Sequence, residues 1–199
     1  MIYPKTLSNL IDYLKKLPGI GEKSAERMAL AILELNTDDA NSFADSISLA
    51  KNKLKRCSIC GCLTENDICS ICENASRNKN VICVLEDFKG VFAFEKAGKF
   101  TGVYHVLNGL ISPIDDVGPD DINIRTLVNR IKDLDNPEII IALKPSIEGE
   151  TTTLYLKKIL EDKKVTISRL SYGIPMGVDI DYLDEITLLN ALNDRKDIS

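Results

Sequence analysis

Apolar residues recur at helical spacing at the start of the chain: Leu7, Leu10, Ile11, Leu14 and Leu17, then Ala25, Met28, Ala29, Ile32 and Leu33, then Ala40, Phe43, Ala44, Ile47 and Leu54. LPGIG (17–21) separates the first two series, because a proline and two glycines interrupt a helix. Thr37 to Asp39 supply caps for the third series. The pattern predicts a small helical unit. From residue 81 the rhythm changes. VICVL (81–85), GVYHVL (102–107), EIIIAL (138–143) and VTISRL (165–170) read as strands, and 88–97, 121–133 and 150–161 as helices. Strands alternating with helices predict βαβ units and a parallel sheet. Between the two regions lie a cysteine-rich segment (57–72) and a polar hinge, ENASRNKN (73–80). The tail, 171–199, holds a turn-rich stretch and one short helix. The expected fold class is α+β and multi-domain.

Composition narrows the classes. Of 199 residues, 44% are hydrophobic and 28% charged, which is globular rather than disordered. No apolar run approaches the ~20 residues that span a bilayer, and the N-terminus lacks the features of a signal peptide, so the expected location is cytoplasmic. In a reducing compartment the six cysteines read as metal ligands or buried thiols rather than disulfides. The net charge of −5 hides a gradient. Residues 1–56 carry nine Lys/Arg against seven Asp/Glu, whereas residues 80–199 carry fourteen against twenty. Contact with phosphate is therefore expected in the N-terminal quarter.

Cys57-x-x-Cys60 and Cys69-x-x-Cys72 form the strongest motif. Two such knuckles can wrap four thiolates around one tetrahedral Zn²⁺, and four protein ligands leave no open position, so the ion would be structural. Cys62 is a spare, and Cys83 reads as a core thiol. LPGIGEKSAERMA is the second motif. Gly19 and Gly21 let backbone approach a phosphate, the following helix aims its N-terminal amides at it, and Lys23 and Arg27 fall four apart on one face. The alternative is a packing hairpin with solvated charges. A P-loop is excluded because the GEKS spacing fails its pattern and a helix precedes it. His105 reads as structural, and Tyr172 and Tyr182 as interface or rim residues.

The hairpin stretch resembles the helix-hairpin-helix motif of DNA-binding proteins. Glu86 and Asp87 at one strand end and Glu148 at another resemble a Toprim domain, the Mg²⁺-dependent fold of topoisomerases, primases and some nucleases. Where that fold carries Asp-x-Asp, this chain has Lys144-x-Ser146. An ammonium there opposes a divalent ion. Glu148 and Gly149 are then retained either to cap or pack the next helix, or as part of a docking surface for a basic partner.

Taken together, LPGIGEKSAERMA, CSIC…CSIC, GVYHVLNGLISPIDDVGPDDI, EGETTTLYL and GIPMGVDIDYLDEITLLNAL resemble the bacterial RecR recombination mediators over essentially the whole chain. Departures from the family's usual pattern are Gly90, Lys144-Pro145, Gly177-Val178 and Ser171-Tyr172-Gly173. The resemblance implies a helix-hairpin-helix DNA-binding domain (1–56), a C4-type zinc finger (57–72), a Toprim domain (80–175) and a C-terminal oligomerisation segment (176–199). It implies a non-enzymatic, nucleoid-associated protein of DNA repair and recombination. Such a protein forms a tetrameric ring that encircles single- or double-stranded DNA without regard to sequence, and acts with RecO and RecF to place RecA on single strands. Two other readings stay open on the residues alone: a Toprim enzyme using Glu86, Asp87 and Glu148, and a zinc-module regulator that grips proteins and not DNA.

Overall fold

The computed structural model describes residues 3–171 and 173–195; Tyr172 and the last four positions of the expected oligomerisation segment lie outside the described residues. Met1–Leu54 and Lys55–Ser199 are separate compact units. In the first, α1 (Lys5–Lys15) and α2 (Glu22–Leu33) form a hairpin, followed by α3 (Thr37–Lys53). Ile11, Ala25 and Ala29 are buried, with Leu7, Leu10, Leu14 and Ile20 packed on them. The two alanines let the helices approach closely, so a short apolar stripe suffices. The third cap falls one residue earlier than the pattern placed it: Asn36 accepts from the Asp39 N–H at 2.8 Å. α3 buries none of its side chains, and Phe43 and Ile47 remain exposed.

The second unit opens with a two-residue antiparallel pair, β1 (Lys55–Arg56) and β2 (Leu63–Thr64), and a single helical turn, α4 (Ser70–Glu73). β3 (Asn78–Leu85), α5 (Phe88–Ala97), β4 (Gly102–Val106), α6 (Ile124–Arg130), β5 (Glu138–Ala142), α7 (Ile147–Leu160) and β6 (Thr166–Arg169) follow, then α8 (Glu185–Asn193). The four strands β3 to β6 form one parallel sheet in the order β4-β3-β5-β6. Strands buried on both faces explain the near-continuous apolar runs. Ile82, Val84, Val103, Ile139 and Ile141 face α6 and α7, where Leu127, Leu156 and Leu160 are fully buried. Each such leucine contributes about 1.5–3 kcal/mol relative to exposure. Cys83, Leu85, Tyr104 and Val106 face α5 and the cysteine segment.

Three expectations need correction. The polar stretch 73–80 is not a hinge: β3 already begins at Asn78, and Arg77 donates to Glu95, Phe100 O and Gly102 O. α7 begins at Ile147, not at residue 150, because Ser146 caps it by accepting from the Gly149 N–H at 3.2 Å. The helix expected over 121–133 is α6 continued by a 3₁₀ turn, Ile131–Asp133.

His105 lies fully buried on β4, as a structural histidine would. Its Nε2–H donates to Asn123 O at 2.7 Å, and Nδ1 has no hydrogen-bond partner. Burial pushes its pKa down to about 4, against about 6.5 in an unfolded chain. Between those values only the unfolded chain takes up the proton. Stability is therefore full above about pH 6.5 and drains as the pH falls toward 4, by up to about 3 kcal/mol. Denaturant titrations of the natural chain and of His105→Gln should diverge over that window, the variant losing part of the slope. Parallel curves would assign the acid sensitivity elsewhere.

Candidate nucleic-acid interface and metal centre

In the first unit, the turn between α1 and α2 is closed by the Ile20 N–H donating to Leu17 O at 3.2 Å. Gly19 adopts φ +82°, a left-handed conformation that disfavours any side chain. Gly21 is the N-cap of α2, and no side chain caps that helix, so its first amides are free for an external acceptor. A side chain at Gly21 would meet nothing within 4 Å, so packing does not require glycine there. Lys23 and Arg27 are exposed, on the side of α2 away from buried Ala25 and Ala29. Glu22, the one acid in the first turn, is paired with Lys15 Nζ at 2.6 Å.

In the second unit, Cys57, Cys60, Cys69 and Cys72 are all buried, and their sulfurs lie within 4.8 Å of one another. The Cys60 and Cys69 sulfurs are 3.6 Å apart, close to the roughly 3.8 Å that two thiolates of a tetrahedral zinc site span. The Cys69 N–H donates to Cys57 Sγ at 3.3 Å, which ties the two knuckles together. Hydrogen bonds to Cys69 and Cys72, and then burial, push the Cys60 thiol up, while Cys69 is held down by its bonds to Cys60 and Cys72. Four thiols this close need a cation to lose their protons together. The donor set fits Zn²⁺. Cys62 is buried but outside the cluster, and burial pushes the Cys83 thiol up to about 12. The knuckle is built onto the sheet: the Val106 N–H donates to Cys60 O at 2.7 Å. Gly61 sits at φ +74°, where a Cβ would lie 2.8 Å from Val106 O.

At the carboxyl ends of the strands, a cleft of about 500 Å³ is lined by Glu86, Lys144 and Glu148 together with Asn108, Asp115 and Asp121. Lys144 Nζ pairs with Glu86 Oε1 at 3.4 Å. Ser146 Oγ donates to Glu148 Oε2 at 2.7 Å, and this bond holds the Glu148 carboxyl below its usual range. Asp87 does not line the cleft; its Oδ1 caps α5 by accepting from the Lys89 and Gly90 N–H groups. Gly149 packs against the turn, where a Cβ would lie only 2.0 Å from Lys144 O.

Residues 7–51 match the helix-hairpin-helix of RecR, residues 54–74 its four-cysteine zinc finger domain and residues 173–196 its C-terminal region. Residues 80–171 match the Toprim domain. The chain is 46% identical over 198 residues to Recombination protein RecR of Staphylococcus haemolyticus, covering 100% of both chains. It is 45% identical to that of Staphylococcus saprophyticus and 46% identical to that of Streptococcus uberis, again over 198 residues and 100% of each chain. The chain belongs to the RecR family of recombination proteins.

Within a RecR chain the four-cysteine cluster is a zinc module, and one structural zinc ion per chain fits it. Among the described residues, no helix is long and apolar enough to cross a membrane. The cleft brings together Glu86, Lys144 and Glu148, which sequence reasoning singled out, and adds Asp115 and Asp121, which it missed. Both lie in the long connection between β4 and α6, although position 121 was the expected start of the helix that begins at Ile124. Their one available signal was the density of acids in SPIDDVGPDDI.

Proposed function

We propose that this RecR-family chain is a DNA clamp of repair and recombination that performs no chemistry of its own. The observation that carries this reading is the α1–α2 hairpin. Its glycine turn, uncapped α2 amides and exposed Lys23 and Arg27 offer a phosphate both backbone donors and two cations. Such contacts hold single- or double-stranded DNA regardless of base sequence. In this reading Cys57, Cys60, Cys69 and Cys72 ligate the zinc ion, which holds the fold rather than the substrate. The unburied apolar faces of each unit, Phe43 and Ile47 on α3, and Met176, Tyr182 and Ile186 in the C-terminal segment, support self-association into a tetrameric ring. Within that ring the chain acts with RecO and RecF to place RecA on single strands. Glu86 and Glu148, with Asp115 and Asp121 beside them and Asp87 at the start of α5, form an acidic surface suited to a basic partner such as RecO. The solution mass with and without DNA tests the clamp. A monomer under both conditions would remove it.

Non-catalysis rests on the Glu86–Lys144 pair. Metal-assisted phosphoryl transfer needs several oxygen ligands around the ion, and here an ammonium occupies that neighbourhood. The protein is expected neither to cut, prime nor relax DNA with Mg²⁺ or Mn²⁺. Replacing Lys144 and Ser146 together by aspartate should create Mn²⁺ binding measurable by calorimetry, and an aspartate at 146 can still cap α7. Mn²⁺ binding at this turn by the natural chain, or cleavage abolished by Glu86→Gln, would revive the enzyme reading.

A further inference from the structure

Phe88 and Phe92 lie four residues apart on one face of α5 and meet edge to face, with ring centroids 5.8 Å apart at 71°. Phe88 is partly buried against the apolar cluster of the cysteine segment, and the Arg56 guanidinium of β1 lies over its ring at 5.0 Å. Phe92 is 53% exposed. It adds little to the core, which α5 reaches through buried Val91.

The unpaired charges that flank it on α5 are both cations, Lys89 and Lys96. Lys89 precedes Phe92 by three residues and Lys96 follows it by four, so both flank the ring on the helix surface. Lys89, Lys96 and Arg56 are exposed and form no ion pair among the described residues. The nearest acids are engaged in the fold. Asp87 caps α5, and Glu95 is held by Arg77 and by the Tyr104 hydroxyl at 2.6 Å. A cationic, aromatic surface thus stands on the part of the chain whose overall balance is acidic.

We propose that this face is a stacking platform for single-stranded nucleic acid. Phe92 takes the face of an unpaired base, Phe88 backs it edge-on, and Arg56, Lys89 and Lys96 meet the adjoining phosphates. Every base has a π-face, so the contact reads no sequence. A duplex offers no free face, so the contact favours single strands. This rests on the DNA-binding reading of the chain and adds to it a second, strand-selective contact that the hairpin cannot supply.

The test uses the full-length, zinc-loaded protein and three probes of equal length: an oligo-dT, the same backbone carrying only abasic sites, and a duplex. Phe92→Ala should weaken oligo-dT binding about tenfold, the scale of one stacked base. It should leave the abasic strand, the duplex and the salt dependence unchanged, and Phe92→Trp should retain or tighten oligo-dT binding. Lys23→Glu with Arg27→Glu should weaken all three probes, and its failure to do so would count against the hairpin and not the platform. Equal loss on oligo-dT and the abasic strand for Phe92→Ala, or no loss on either, overturns the platform. So does a changed solution mass for that variant, which would assign the face to self-association.

Discussion

Cys60→Ser is expected to leave the chain without zinc and to strip the second unit of its cooperative melt. The apparent binding free energy of a structural zinc site is about 10–16 kcal/mol in isolated finger peptides, and it is folding free energy, since no site exists in the unfolded chain. Here the consequence reaches past the knuckle. The four cysteines share one apolar cluster with Cys83 and Leu85 of β3, Tyr104 and Val106 of β4, and Val91 of α5. Cys60 also provides, through its carbonyl, the acceptor for the Val106 N–H at the end of β4. Releasing the ion therefore uncovers one face of the parallel sheet as well as a surface loop. Cys62→Ser is the matched control. It buries a hydroxyl in place of a thiol outside the cluster and should cost about 1–3 kcal/mol while leaving the metal in place. Elemental analysis and thermal melts of the two variants separate the roles. Equal zinc in Cys60→Ser and the natural chain would move the ligand set elsewhere.

What could be read from the chain alone follows from how local each signal is. The glycine turn and the paired cysteine spacings are properties of a few neighbouring residues, so the hairpin and the metal cluster were visible before any geometry. The strands were visible because a doubly covered parallel strand is apolar throughout, as in Val81 to Leu85 and Ile139 to Ile141. The start of α7 was not. The helix was expected from residue 150 with Glu148 and Gly149 ahead of it, yet both lie inside it, and position 149 is glycine because a Cβ there would strike the Lys144 carbonyl. The role given to Glu148 shifted for the same reason: Ser146 is the cap, and Glu148 is hydrogen-bonded to it. β1 and β2, two residues each, are too short to carry a pattern and exist because the knuckle folds between them. The union of the cysteine segment with the sheet is a tertiary fact. It rests on Gly61 meeting Val106 and Asn123, residues far off in sequence.

Lys23→Glu combined with Arg27→Glu is expected to abolish duplex binding, and to weaken single-strand binding, while the circular dichroism stays native. Both side chains are exposed, and α2 is held by Ala25 and Ala29 on its other side, so the fold does not depend on either cation. The effect on binding is larger than the loss of two contacts. A glutamate at 23, in the first turn, would sit beside the free amides of α2 at the helix's positive end, and one at 27, a turn further on, would add to the repulsion of phosphate. The chain carries a net charge of −5, so a duplex, which offers no free base face to the α5 platform, has no general cationic surface to compensate. A milder change measures the same contact without disabling it. With Lys23→Ala, the slope of log affinity against log salt should shrink by about one for each chain engaged, because each neutralised phosphate releases close to one counterion. In the ring proposed above the hairpins would act together, so a small loss per chain would multiply across the assembly and affinity would fall much faster than the slope. A reduced slope with a native spectrum identifies the hairpin as the phosphate contact. An unchanged slope with weakened binding would mean that Lys23 acts by positioning α2 and that the phosphate is held by another surface.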